Sequence, residues 1–157
     1  MSEYVDLLRD AYRGEVFGQS FFGAMADSPH HEAYRPQLRA LQEVEAQTAA
    51  RLRPLVELAG GDRGAHAAAI AEGVELAGGL AATPWPEFLR GLRDSLPAFL
   101  ERFERLQLLA PEDPVLADLV AHEQAIDRFA ALELDGHADD AIAVLRGHLD
   151  DAHRARL

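Results

Sequence analysis

The amino-acid sequence predicts an all-α protein. Leucine, alanine, glutamate and arginine, which all favour helix, fill the stretches between glycine and proline breakers. Valine and isoleucine are scattered, and no alternating apolar and polar run persists, so strand signals are nearly absent. Apolar residues instead recur at helical spacing. We therefore expect an antiparallel four-helix bundle, with two additional helices in the crossover that joins its two hairpins.

The breakers divide the chain into successive helices. Asp113 before Pro114 is a favourable helix start, because its side chain can cap the first turn and proline needs no hydrogen-bond acceptor there. Gly60 and Gly136 can adopt the left-handed conformation that ends a helix, and Pro97 predicts a kink inside the fourth helix. The predicted helices span approximately residues 4–26, 32–59, 63–80, 84–109, 114–134 and 139–154.

Length and composition limit the class of protein. The 157 residues fit one domain, 1–157, and the absence of cysteine excludes disulfide and thiolate chemistry. A net charge of -12 disfavours binding to nucleic acid or to anionic membranes. No signal peptide, membrane-spanning stretch, phosphate loop, dinucleotide fingerprint or intact zinc-protease motif is visible. We expect a cytoplasmic protein.

Four ionisable residues occupy positions where the helical pattern predicts apolar side chains: Glu15, Glu45, Glu123 and His148. Each lies about 11 to 13 residues from the turn of its own hairpin, so each is roughly 17 to 20 Å along the helix from that turn. Because the two hairpins have matching depths, their packing would bring all four side chains to one layer. Such a layer is a candidate metal site.

The chemistry of this layer favours a bound cation. A buried carboxylate must be neutralised, paired or bound to a metal, and several converging carboxylates repel one another. An oxygen-rich set with one imidazole suits iron or manganese better than a structural zinc ion. Tyr12, one turn before Glu15, would then hydrogen-bond a ligand or take part in redox chemistry.

These residues resemble the ferritin-like carboxylate-bridged di-metal bundles. In that family one helix of each hairpin supplies a Glu, and its partner helix supplies a Glu-x-x-His motif. Glu15 and Glu123 match the single-Glu positions, Glu45 matches the first Glu of one motif, and His148 matches the His of the other. The resemblance implies a ferritin-like fold, bound iron or manganese and oxidoreductase chemistry.

Two positions depart from the family pattern. Thr48 stands where the first motif has His, and Leu145 stands where the second has Glu. A mononuclear or degenerate site is therefore expected. Thr48 through its hydroxyl, Asp127 one turn after Glu123, Asp151 near His148, and His122 are neighbouring groups that would supplement it, although His122 by itself is interpreted as a residue on the flank of its helix.

A second interpretation stays open. Inward carboxylates can also pair with arginine or line a ligand cavity, which would make the protein a metal-free small-molecule binding or protein interaction module. The sequence does not decide whether the protein is an enzyme. The binding partners that remain possible from the sequence are a small apolar ligand and a second copy of the chain in a homodimer.

The pair His30-His31 is interpreted as a solvated helix start. The phenylalanines are interpreted as core, with an apolar substrate tunnel as the alternative: Phe17, Phe21, Phe22, Phe88, Phe99, Phe103 and Phe129.

Overall fold

The computed structural model describes residues 2–61 and 63–154, and these ranges contain helices and turns but no strand. The all-α prediction is confirmed. No helix in the described ranges is long and apolar enough to cross a membrane. The elements are α1 Glu3–Asp27, a 3-10 helix Pro29–Tyr34, α2 Arg35–Leu58, α3 Arg63–Leu80, α4 Trp85–Leu109, α5 Pro114–Leu134 and α6 Ala138–Arg154.

The helix ends follow local chemistry. The Asp113 carboxylate accepts a hydrogen bond from the Val115 N–H at 2.9 Å, with Pro114 in the first turn of α5. Gly60 (φ 99°) and Gly136 (φ 82°) both adopt the left-handed region after a helix, as predicted. The helix predicted from residue 32 instead begins at Arg35, because a 3-10 turn precedes it. α4 runs through Pro97 without interruption.

His31 differs from its prediction. His30 is exposed, as expected for a solvated helix start, but His31 is only 2% exposed and lies within the 3-10 helix. The turn between α1 and α2 therefore directs one of the two histidines inward, which the sequence interpretation did not anticipate.

The helices pack as two hairpins bridged by α4. α1 packs on α2, α5 packs on α6, and α2 contacts both α5 and α6. α4 packs on α5 and also contacts α1, whereas α3 packs on α1. The sequence leaves open whether residues 84–109 belong to the core, and α4 supplies the following buried residues to the hydrophobic clusters: Phe88, Leu89, Leu96, Phe103 and Leu106.

Two hydrophobic clusters fill the interior. One contains Met25, Leu41, Phe129 and Leu145, and the other contains Leu8, Leu52, Leu106 and Leu119. Burying each such side chain contributes roughly 1.5–3 kcal/mol to stability. Glu45 on α2 and Glu123 on α5 separate the two clusters along their helices, and Glu15 on α1 lies at the end of the second cluster, next to Val16. The site is therefore a polar layer between two apolar regions.

Candidate metal site

The polar layer brings together side chains from three helices. Glu15 on α1 is 2% exposed, Glu45 on α2 is 6% exposed, and Glu123 on α5 is 6% exposed. His122, beside Glu123 on α5, is fully buried. Ligand atoms of Glu15, His122 and Glu123 all lie within 4.8 Å of one another. The structure thus places three of the four predicted ligands around a histidine that the sequence interpretation left on a flank.

His122 is the main correction to the site. It follows Leu119 by three residues and precedes Ile126 by four, so it shares the buried face of α5 with both of them. This spacing is visible in the sequence, but the apolar face of α5 is wide enough to include Glu123 as well, and spacing alone favoured Glu123. The Nδ1 atom lies 2.6 Å from the carbonyl oxygen of Leu119. An N–H at Nδ1 donates to that carbonyl, which leaves Nε2 directed at the carboxylates.

Nε2 of His122 faces three carboxylates. It lies 3.0 Å from Glu15 Oε2, 3.6 Å from Glu123 Oε1 and 3.9 Å from Glu45 Oε2. A protonated His122 forms a buried ion pair with Glu15 across the shortest of these distances, and Oε2 of Glu123 is buried without a hydrogen-bond partner. Two ligands of one octahedral metal ion, each at about 2.1 Å, are themselves about 3 Å apart. The spacing therefore fits atoms that converge on a shared cation.

Burial and like charge perturb the acidic groups. Burial, together with the nearby Glu15 carboxylate, raises the pKa of Glu45 well above its ordinary value. Burial also raises the pKa of Glu123 to about 7, although the neighbouring His122 opposes the change. For His122, burial lowers the pKa, but the Glu15 and Glu45 carboxylates outweigh it and the net pKa is raised. One imidazolium cannot balance three carboxylates, and a divalent cation would relieve the excess negative charge.

His148 lies at the margin of this layer. It is half-buried on α6, and its ring centroid is 6.4 Å from that of His122. Burial, His122 and Arg51 lower the pKa of His148 to about 4. The imidazole is therefore neutral at neutral pH and keeps a lone pair, but it is not part of the converging group of Glu15, His122 and Glu123. The predicted four-residue layer becomes a compact set of Glu15, Glu45, Glu123 and His122, with His148 adjacent.

The other predicted neighbours make different contacts. The Tyr12 hydroxyl lies 3.0 Å from His66 Nδ1 on α3. Thr48 is buried, but its hydroxyl donates to the Val44 carbonyl of its own helix at 2.9 Å.

The two aspartates lie towards the surface. Asp127 forms a surface ion pair with Arg93 at 2.9 Å, and Asp151 is exposed on α6. Hydrophobic spacing indicates how far along the bundle a residue lies, but not where its polar atoms point. For this reason, the sequence assigns Tyr12, Thr48 and Asp127 to a site, whereas in the structure their polar atoms contact other groups.

Gly18 provides space for the Glu45 carboxyl group. A Cβ at Gly18 would lie 2.7 Å from both Cδ and Oε2 of Glu45, closer than real Cβ contacts occur. The side chain of Glu45 therefore lies directly against the backbone of α1. This close approach brings Glu45 towards Glu15, which is three residues before Gly18 on the same helix.

A cavity of about 480 Å³ opens onto the carboxylate layer. Glu15, Glu45 and Glu123 line one part of it, and the rest of its wall is mainly apolar. Phe103 and Phe129 belong to the core, as predicted. The aromatic residues that line the cavity are Phe17, Phe21, Phe22, Phe88 and Phe99. Phe21, Phe22 and Phe88 are also buried members of a hydrophobic cluster, so core packing and cavity lining overlap.

Comparisons with protein-family models, curated proteins and solved structures found no match to this chain. The ferritin-like resemblance therefore rests on the residues alone.

Proposed function

We propose that this protein binds a divalent metal ion in the polar layer, with Glu15, Glu45, His122 and Glu123 as the ligands. The observation that supports this most directly is the convergence of ligand atoms of Glu15, His122 and Glu123, which all lie within 4.8 Å of one another in the buried layer. Their convergence, with the Glu45 carboxylate 3.9 Å from His122 Nε2, supports a common cation.

Iron or manganese is the ion that this donor set favours, because carboxylate oxygens dominate and one imidazole completes the set. When bound, such an ion would supply Lewis-acid or redox chemistry at the buried end of the cavity. Leu119 holds the His122 ring in the orientation that presents Nε2. This arrangement, with the ferritin-like spacing of Glu15, Glu45, Glu123 and His148, supports oxidoreductase chemistry as the proposed activity.

Metal analysis tests the proposal. Protein loaded with Mn²⁺, or with Fe²⁺ without oxygen, should retain about one ion per chain after desalting. Glu15→Ala and Glu123→Ala should each lose the bound ion, because each removes a ligand and leaves the remaining groups unable to complete the site. Elemental analysis of the desalted protein gives the stoichiometry, and titration calorimetry gives the affinity.

Asp127→Asn is the matched control. It removes one negative charge from α5, four residues after Glu123, but Asp127 pairs with Arg93 at the surface. This variant should bind the ion as the wild type does. Absence of bound metal under every loading condition, or equal loss in Asp127→Asn and Glu123→Ala, would contradict the proposal.

The alternative function is a metal-free module that binds a small molecule. The observation that favours it is the position of His122, which lies within 3.9 Å of three carboxylates and has a raised pKa. In this case the layer would be stabilised without a metal ion, because His122, Glu45 and Glu123 would all be protonated and the net negative charge would be reduced. The metal analysis distinguishes the two functions, because this one requires no ion under any condition.

A further inference from the structure

We propose that the cavity above the carboxylates binds an uncharged hydrophobic small molecule and excludes anionic amphiphiles. This inference goes beyond the metal site, because it concerns what the metal-free cavity binds, and the described lining residues include four glutamates but no basic side chain. It is carried by three observations: where the cavity opens, what forms its walls, and which charges line it.

The cavity lies between α3 and α4. Both helices pack on α1 but make little contact with each other, so a gap remains between them. The lining includes Gly14 and Gly18 of α1, whose missing side chains leave the space open. Exposed Gly91 and Ser95 on α4 and Leu76 on α3 mark the side that reaches solvent. A molecule that enters there would approach the buried carboxylates.

The cavity walls are suited to an apolar ligand. Phe17, Phe21 and Phe88 border the cavity, and the Phe21 and Phe88 rings are 6.1 Å apart. Leu80 and Leu92 extend the apolar wall. A volume of about 480 Å³ falls in the range of cavities that bury small organic ligands. Aromatic and aliphatic ligand surfaces would both gain by leaving water at this site.

The charges select against anions. No arginine, lysine or histidine occurs among the described residues that line the cavity, whereas Glu15, Glu45, Glu87 and Glu123 do. A carboxylate or phosphate group buried there would lose its hydration and face glutamates, with no basic side chain among the described lining residues to compensate. An uncharged molecule avoids this cost. The cavity should therefore distinguish two ligands that differ only in the charge of the head group.

Displacement of a fluorescent probe tests this. Uncharged N-phenyl-1-naphthylamine should bind with increased fluorescence, and 1-dodecanol should displace it. Dodecanoate, which has the same chain length, should compete at least tenfold more weakly at pH 8. Both competitors are used below the concentrations at which they aggregate, and EDTA keeps the cavity free of metal.

Two variants test whether the probe binds in this cavity. A Cβ at Gly14 would lie 4.0 Å from the Phe99 ring, so Gly14→Leu should fill the space and weaken probe binding at least tenfold. Gly64→Leu on α3 is the matched control, because a Cβ there meets nothing within 4 Å and Gly64 does not line the cavity. Ser95→Trp at the opening gives a second test that does not depend on the Gly14 variant folding. Circular dichroism verifies the fold of each variant.

Several results would overturn the inference: no probe binding by the wild type, equal competition by dodecanoate and dodecanol, displacement only by a cationic amphiphile, or unchanged binding in correctly folded Gly14→Leu and Ser95→Trp. Metal content is measured separately on samples loaded without EDTA. Probe binding without metal would leave this inference standing while the proposed metal function fails, and the reverse result would do the opposite.

Discussion

At the scale of single residues, His122 organises the polar layer. Its Nδ1 is held by the Leu119 carbonyl at 2.6 Å, so the ring cannot rotate without losing a buried hydrogen bond. Its Nε2 therefore stays directed at the carboxylates of Glu15, Glu45 and Glu123. This fixed orientation is what a metal ligand requires, since a preformed ligand loses little entropy on binding.

Gly18 offers a test of positioning that leaves every ligand in place. Gly18→Ala should weaken Mn²⁺ binding at least tenfold, because the new Cβ would displace the Glu45 carboxyl group that lies 2.7 Å from it. The fold should persist, since alanine favours helix over glycine by about 1 kcal/mol. Titration calorimetry measures the affinity.

Gly14→Ala is the control for this variant. It lies one turn earlier on α1, and its Cβ would come no closer than 4.0 Å to the Phe99 ring. This substitution should leave Mn²⁺ affinity unchanged. Equal affinities in the two alanine variants would show that Gly18 does not position Glu45.

The raised pKa of Glu123 predicts that the metal-free protein loses folding stability as the pH rises. Its folded pKa of about 7 exceeds the ordinary value of 4.5, so folding favours the protonated form. The wild type therefore loses stability relative to Glu123→Gln as pH rises from 4.5 through about 7. In EDTA the difference should grow from near zero to about 3 kcal/mol at pH 8. Urea unfolding at each pH measures it.

Glu104→Gln, on the exposed side of α4, is the comparison for this profile. This variant reports the effect of exchanging Glu for Gln at a position where the side chain is exposed. A Glu123→Gln profile no steeper than this comparison would show that burial does not penalise the Glu123 carboxylate.

At the scale of elements, α3 is attached to the rest of the bundle mainly through α1. The Ser20 hydroxyl donates to the Ile70 carbonyl at 2.7 Å, and the Tyr12 hydroxyl pairs with His66. Gly73 allows the two backbones to approach closely, because a Cβ there would lie 2.7 Å from the Phe17 carbonyl oxygen. The position of α3 in turn forms one wall of the cavity, through Leu76 and Leu80.

Gly73→Ala should therefore destabilise the protein by about 1–3 kcal/mol, the range for inserting a methyl group into a close-packed contact. Gly78→Ala on the same helix should be neutral or stabilising by up to about 1 kcal/mol, because a Cβ there meets nothing within 4 Å. Urea unfolding compares the two variants. A Gly73→Ala variant as stable as Gly78→Ala would mean that α3 shifts on α1 without cost.

The outer surface of α3 carries apolar side chains. Ile70 is 43% exposed, Val74 is 51% exposed and Leu76 is 44% exposed. They are where a second copy of the chain would gain the most apolar contact on this helix. The homodimer stays a prediction.

At the scale of the whole molecule, the net negative charge of the protein and the buried carboxylates both favour cations over anions. A net charge of -12 attracts cations and repels anions over the surface, and the cavity wall repeats that preference inside. α4 contributes to this arrangement from within the core, since it supplies side chains to both hydrophobic clusters and to the cavity. The bundle thus holds its polar site between two apolar regions.

By itself, the sequence determined the helical class, the helix ends at Asp113, Gly60 and Gly136, and the inward placement of carboxylates on α1, α2 and α5. These features depend on residues within a few turns of one another, so propensity, capping and periodicity suffice to predict them. For this reason, helical spacing alone is enough to select Glu15, Glu45 and Glu123 as buried carboxylates.

Only the tertiary structure decided that His122 lies among the carboxylates, that the His148 ring lies next to the His122 ring, and that α4 contributes to the core. It also decided that a cavity opens between α3 and α4. Periodicity fixes which face of a helix is buried, but the rotation of each helix and its choice of neighbours depend on how distant side chains fill shared space. Contacts between different helices set those quantities.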